Sequence, residues 1–216
     1  MQHKQRFTNV TLVTPYGEED KDLLIDGDKI VDILNPNENI SDDWKIIDGQ
    51  NNFIFPGMID VLQHGFLNYL YGHAEENCTV DNSKILPSVG VTGFLPSTPC
   101  LPPEKTKTLL NALSNDIDKA KEGARVLGIH SEGPCFALPG AHDPKNLRNP
   151  SVSLAEELLD ACQGKLKALT LAPEMNGSEE FIKRLKKEKI SIHLGHSGAK
   201  PIDVPKFADW GVDAVT

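Results

Sequence analysis

An α/β fold is predicted for this chain, a short β-rich subdomain followed by a parallel sheet with crossover helices, and three observations predict it. Before residue 53 the 216-residue sequence carries short apolar runs cut by turn signals at Pro15-Tyr16-Gly17, Asp26-Gly27 and Asp48-Gly49. From Phe53 onward, β-branched runs of strand length alternate with longer helix-type stretches, the rhythm of βαβ units. Two of those runs end in side chains of a type that can ligate a metal, Glu132 and His196, at the point where a strand gives way to a loop.

Residues 1–52 form the first unit. Strands are expected from Phe7 to Thr14, Asp22 to Asp26 and Lys29 to Leu34, with a further run over Trp44-Lys45-Ile46-Ile47. Asp26-Gly27 between two apolar runs is a hairpin signal, because a tight primed turn needs positive φ. Asp48-Gly49 reads as another turn. Residues 53–216 form the second unit, with strands near 54–61, 91–97, 125–131, 166–172 and 190–195 and helices near 79–89, 103–122, 152–163, 178–188 and 202–210. Ser151 or Ser153 is available as an N-cap and Gly164 as a terminator, while Ser178 and Pro201 mark the next two helix starts. A sixth strand begins at Asp213-Ala214-Val215-Thr216. Five βα units and the start of a sixth fall short of a closed eight-stranded barrel, which takes ~250 residues. A doubly wound open sheet would suit this length, so both architectures stand at this point.

Composition narrows the function. Apolar residues make up 39% and charged residues 25%, ordinary values for a soluble protein. The net charge of −9 argues against nucleic acid or an anionic membrane as partner, since both need concentrated Lys and Arg. Cys78, Cys100, Cys135 and Cys162 are scattered without a Cys-x-x-Cys, which points to reduced thiols and away from a zinc knuckle or a redox pair. The polar start, residues 1–7, lacks the apolar core of a signal peptide, and no later run reaches the ~18 apolar residues of a membrane span, so the cytoplasm is the expected location.

The chemistry is expected at strand ends. In the run from Arg125 to Glu132, alternation puts Val126, Gly128, His130 and Glu132 on one side, and Gly133-Pro134 then turns the chain away. A carboxylate there suits a metal; read alone, it equally suits capping of loop amides. His196 follows the run Ile190 to Leu194 in the same way, and a lone histidine at such a place is commonly just hydrogen-bonded structure. The loop after Glu132, ~18 residues without periodicity, is long enough to be functional. His130 and His193 lie within strands and read as packing residues, Glu174 as a loop anchor, and the charge run 183–189 as a solvated helix face.

Four segments taken together, His130-Ser131-Glu132-Gly133-Pro134, Gly140-Ala141-His142, Leu171-Ala172-Pro173-Glu174 and Leu194-Gly195-His196-Ser197, resemble the N-acetylglucosamine-6-phosphate deacetylase family of the amidohydrolase superfamily in order and spacing. The resemblance runs from about the first strand to Thr216. It implies a partial (β/α)8 TIM-type barrel of the metal-dependent amidohydrolase kind, truncated in its sixth strand, after the N-terminal part of a small β-sandwich. It implies metal ligation by Glu132 and His196, contact of Ala141 and His142 with the sugar, and a third ligand, a histidine, just beyond Thr216. Leu62 stands where many amidohydrolases have the first histidine of His-x-His, so His64 is left to line the pocket or to serve a weak second site. One divalent ion per chain, zinc, is expected. The activity implied is metal-dependent hydrolysis of an amino-sugar phosphate to acetate and glucosamine 6-phosphate. The family's catalytic Asp and phosphate-binding residues would lie beyond Thr216, leaving no catalytic residue within the chain and a fragment inactive alone; a homo-oligomer is allowed for a full-length form. A cyclic-amide hydrolase or purine deaminase is the alternative within the superfamily, disfavoured by Leu62 and by the Lys-free segment 171–174. A non-catalytic fragment that binds metal or a partner is the alternative outside it.

Overall fold

The computed structural model describes residues 4–73 and 77–216, so the start of the polar N-terminal stretch lies outside the described residues. The chain divides into two compact units, Met1–Gly57 and Met58–Thr216, against a boundary expected at 52/53.

The first unit is a sheet centred on β1 (Lys4–Thr14). On one side β1 pairs antiparallel with β2 (Gly17–Asp20) and β3 (Asp22–Asp26), and β3 continues the sheet to β4 (Lys29–Leu34). On the other side it pairs parallel with β5 (Lys45–Ile54). Val10, Leu12 and Leu23 form the small core, and the Arg6 guanidinium is buried against Asp22, with Nε 2.7 Å from Oδ2. The hairpin at Asp26-Gly27 forms as expected, with Asp26 opposite Lys29 and Gly27 at φ 63°. Asp48-Gly49 is different: no hairpin forms, and β5 continues past it through a bulge in which Gln50 and Asn51 take positive φ (55° and 59°). Asp48 Oδ1 accepts from the Gln50 N–H at 2.9 Å and from Asn9 Nδ2 at 3.0 Å, so the chain bulges with its neighbour and stays paired. Gly49 is required there, because a Cβ would lie 2.1 Å from Val10 Cγ1. The strand β2, all exposed, carries no apolar pattern of its own and exists through its ladder to β1.

The second unit carries β6 (Met58–Gln63), a small hairpin of β7 (Gly65–Phe66) and β8 (Tyr69–Leu70), then β9 (Val91–Thr98), β10 (Arg125–Val126), β11 (Ile129–Glu132), β12 (Leu166–Leu171), β13 (Ser191–Leu194) and β14 (Ala214–Val215). Between them lie α1 (Cys78–Ile85), α2 (Pro103–Lys119), α3 (Val152–Ala161), α4 (Ser178–Lys187) and α5 (Val204–Trp210). Apart from the β7–β8 hairpin the ladders are parallel and join successive βα units, with β10 and β11 as two pieces of one barrel strand: β6 with β9, β9 with both β10 and β11, β11 with β12, β12 with β13, β13 with β14. A doubly wound sheet reverses its strand order at a switch point, whereas this order never reverses. The parallel sheet is therefore a half-barrel, and every strand delivers its C-terminal end to the same rim.

Some boundaries differ from expectation for identifiable reasons. The first barrel strand starts at Met58 instead of 54, because Ile54 completes β5 and Pro56 follows. The strand expected over 125–131 is interrupted at Leu127-Gly128, with Gly128 at φ 144° and a register shift at Ile129/His130. The alternation drawn from Val126 through to Glu132 therefore does not run unbroken, although His130 and Glu132 keep it within β11. Helix α1 stops at Ile85, where Pro87 forces a tighter 3-10 turn over Leu86–Val89 closed by Gly90. Ser151 caps α3 through its hydroxyl on the Leu154 N–H at 3.2 Å. Leu109, Leu110 and Leu113 of α2, Leu154 and Leu158 of α3 and Phe181, Ile182 and Leu185 of α4 share one core with Ile129, Leu169, Leu171 and Ile192 of the sheet. The charge run on α4 faces outward in part: Lys183 meets Glu179, and Arg184 reaches across to Glu156 of α3.

Candidate active site

The rim at the strand C-termini gathers the ligand-type residues. Glu132 ends β11 with its side chain 10% exposed, and three imidazoles face its two oxygens. His64, just past β6, places Nε2 3.1 Å from Oε2; His142, in the long loop, places Nε2 3.4 Å from the same oxygen; His196, past β13, places Nε2 3.3 Å from Oε1. Together with Ala141, Leu70, Gly72 and Pro99 they line a cleft of about 490 Å³. The five residues singled out from the sequence, His64, Glu132, Ala141, His142 and His196, thus share one cavity.

Hydrogen bonds on the far ring nitrogens decide what each imidazole can do. A carbonyl only accepts, so the Nδ1 of His64, 3.1 Å from the Ser97 carbonyl, and the Nδ1 of His196, 3.0 Å from the Leu138 carbonyl, each carry a proton. With Nδ1 protonated, Nε2 is a lone pair in the neutral ring and a donor in the imidazolium; the bond His64 makes to Glu132 is of the second kind, and the lone pair is what the ring offers once that proton leaves. His142 is reversed. Its Nδ1 accepts the Cys100 backbone N–H at 3.3 Å, so its Nε2 carries the proton and donates toward Glu132. One oxygen or nitrogen from each of Glu132, His142 and His196 lies within 4.8 Å of the others, a spacing that could enclose an ion, but the proton on His142 Nε2 occupies the lone pair such an ion would need.

Packing fixes these rings. Phe136 stacks on His196 with ring centroids 4.2 Å apart and tilts against His142 at 5.2 Å. Gly140 (φ 58°) must be glycine, because a Cβ would meet His196 Cε1 at 2.8 Å. The loop bearing these residues is tied back to α3 by Arg148, which makes two bonds to Glu157 at 2.6 and 2.7 Å. Below the cleft, His130 Nδ1 donates to the Val61 carbonyl at 2.6 Å and Nε2 accepts from Thr170 Oγ1 at 2.8 Å, and its ring meets His193 edge-on at 5.1 Å. His130 and His193 are accordingly packing residues, and neither lines the cleft.

Electrostatics follow from burial and pairing. Burial pushes the Glu132 carboxyl up, but the hydrogen bond from His64 and the nearby charges of His64, His142 and His196 outweigh it and hold the carboxyl below its ordinary range. The same bond to Glu132 raises His64, while burial lowers His142 and His193 and takes His130 down to about 4.

Sequence reasoning did not single out Phe136, the Cys100 N–H or the Ser97 and Leu138 carbonyls. An aromatic residue four positions after Glu132 in a loop already marked as functional could have flagged Phe136. Backbone groups leave no residue-type signal.

A scan against protein-family models finds no match. The chain is 31% identical over 223 residues to N-acetylglucosamine-6-phosphate deacetylase of Danio rerio, covering 98% of this chain and 54% of the relative. It is 34% identical over 175 residues to the Bacillus subtilis (strain 168) enzyme of the same name, covering 77% and 43%. The crystal structure of N-acetylglucosamine-6-phosphate deacetylase from Pasteurella multocida superposes with a TM-score of 0.86 at 26% identity, over 98% of this chain and 56% of that one. The chain spans about half the length of the curated relatives it matches.

Proposed function

Since the chain belongs to the N-acetylglucosamine-6-phosphate deacetylase family and matches its N-terminal portion, we propose that its cleft is the metal-binding part of an amide-hydrolysing site for N-acetylglucosamine 6-phosphate. The donor set fits a divalent ion: a buried carboxylate and imidazole lone pairs, with the far nitrogen of each ring held by a carbonyl. Glu132 and His196 would hold the ion, zinc by the softness of the nitrogen donors. His64 is bonded to the same carboxylate and Leu62 offers no donor atom, which favours one ion over two. Such an ion supplies polarisation of the acetamide carbonyl and a water of lowered pKa.

The chain's own residues orient the sugar. His142, with its proton fixed on Nε2 by the Cys100 N–H, can only donate there, which suits a hydroxyl or carbonyl oxygen of the substrate. Ala141 beside it leaves room. Glu132 is the one carboxylate lining the cleft among the described residues, and when it is engaged by a metal no second one stands ready to carry protons. The 216 residues by themselves are therefore expected to be inactive. Among the described residues no helix is long and apolar enough to cross a membrane; the cytoplasm is the location this reading carries with it.

The observation that carries the reading is the convergence of three imidazoles on one buried carboxylate, with Nε2 of His64, His142 and His196 at 3.1, 3.4 and 3.3 Å from Glu132 and the Nδ1 of His64 and His196 held by backbone carbonyls. Titration of the chain with Zn²⁺ by calorimetry tests it. One ion per chain, lost in Glu132→Gln, is the expected result; unchanged uptake by Glu132→Gln removes Glu132 from the site. Acetate release from N-acetylglucosamine 6-phosphate should not exceed a metal-only blank.

A further inference from the structure

Glu174 lies outside the cleft, yet both its carboxylate oxygens are committed to the turn that follows His196. Oε2 accepts the Ser197 hydroxyl at 2.7 Å, and Oε1 accepts the Gly198 N–H at 2.6 Å. Ser197 Oγ in turn accepts the Ala199 N–H at 3.0 Å. We infer that Glu174 is a positioning residue for His196, reaching from the end of β12 to set where the imidazole past β13 points.

The backbone of His196 is held in an uncommon conformation. Its φ of 51° lies in the left-handed region, which residues bearing a Cβ adopt only when their surroundings hold them there. On the loop side the hold is plain. The His196 carbonyl accepts N–H groups from Ala137 at 3.1 Å and Leu138 at 2.8 Å, the ring bonds the Leu138 carbonyl, and Phe136 stacks on its face. On the C-terminal side steric crowding does not do it, since a Cβ on Gly198 would touch only Glu174 Oε1, at 3.8 Å. The carboxylate holds that side: it fixes the two residues after His196, and with them the peptide that determines whether residue 196 can relax to negative φ. Such a relaxation would carry Nε2 away from its place 3.3 Å from Glu132 Oε1. The pairing spans neighbouring strands, so the bond ties two rim loops together at the point where the proposed ligand sits.

The inference rests on the metal reading for one of its two measurements and is independent of it for the other. In the metal-free chain, ¹⁵N-detected ring signals of His196 should report a proton fixed on Nδ1, and Glu174→Ala should turn this into a mixture of tautomers. With Co²⁺ as probe, Glu174→Ala should weaken binding about tenfold and alter the visible d–d bands, the scale typical of groups that orient a ligand. Glu174→Gln, which keeps an acceptor for the Gly198 N–H, should restore most of the affinity, and the thermal melt should separate this from general loss of structure. Ser197→Ala removes one of the two bonds and should give a smaller shift in the same direction; it carries both measurements if Glu174→Ala does not fold. Ring signals and Co²⁺ affinity both unchanged in Glu174→Ala, or in Ser197→Ala where that variant stands in, would overturn the inference. If the parent itself takes up no Co²⁺, the metal reading falls and the ring signals alone decide the role of Glu174.

Discussion

Acidification should strip stability from this chain in part through a buried histidine, His130. The ring is wholly buried and bonded at both nitrogens, to the Val61 carbonyl on β6 and to Thr170 Oγ1 on β12. Burial takes its pKa from the ordinary 6.5 to about 4. A base with a lowered folded pKa leaves the unfolded chain holding the extra proton at intermediate pH. The neutral ring's contribution is therefore complete above about 6.5, drains away as the pH falls, and levels off below about 4. A shift of that size corresponds to about 3 kcal/mol, a large share of the ~5–15 kcal/mol typical of a domain. The assay is urea unfolding followed by circular dichroism from pH 7.5 to 4, on the parent and on His130→Gln. The variant cannot bond both Val61 and Thr170, so it should be less stable by about 1–3 kcal/mol at neutral pH. It also has nothing to titrate, so the gap should close or invert by pH 4. Carboxylates that titrate in both proteins cancel in the difference. Two pH profiles running parallel would refute the reasoning and mean that His130 is not held as a buried neutral ring.

Replacing His64 by Ala should leave metal stoichiometry at one ion per chain; two ions in the parent and one in the variant, by elemental analysis after dialysis, would contradict the one-metal reading. Because the bond to Glu132 raises His64, the protonated ring competes with the metal for that carboxylate, and apparent affinity should climb as the pH rises above 6.5 through the raised value; a flat profile between pH 6 and 8 would count against this competition. The chain should also self-associate, because Met58, Ile59 and Val61 stand half-exposed on β6, which among the described residues pairs on one side, with β9, and Val215 is 67% exposed on β14. A monodisperse monomer by size-exclusion chromatography across a hundredfold concentration range would contradict this.

The parts legible in the sequence are those written in side-chain pattern. Strand and helix alternation, the Ser151 cap and the hairpin at Asp26-Gly27 all follow from residue type. Asp48-Gly49 uses the same two residues and forms no hairpin, because the partner strand carries Asn9 in a matching left-handed conformation (φ 52°) and the bulge is a property of the pair. The convergence of Glu132, His142 and His196 was readable through family-like motifs. What each imidazole offers was not, because the Ser97 and Leu138 carbonyls and the Cys100 N–H belong to the backbone, and any residue at those positions would supply them. Glu174 could be taken from sequence as a loop anchor, but its partners, Ser197 and Gly198, come from the neighbouring strand's loop and are set by strand order.

That unreversed order also bears on how the half-barrel can form during synthesis. Each parallel ladder joins a strand to that of the preceding βα unit, as when Ala168 meets Ser191 or His130 meets Ala168. The chain between partners is one crossover helix long, on the order of thirty residues, so the closure entropy of every step is similar and small beside that of a sheet whose neighbours are distant in sequence. Docking can then proceed from the N-terminal side, each new βα unit finding its template already in place as it leaves the ribosome. The cleft matures late. Glu132 is in position once β11 pairs with β9, but its partner His196 arrives only with β13, so a nascent chain carries a half-built site until the fifth unit closes on the fourth.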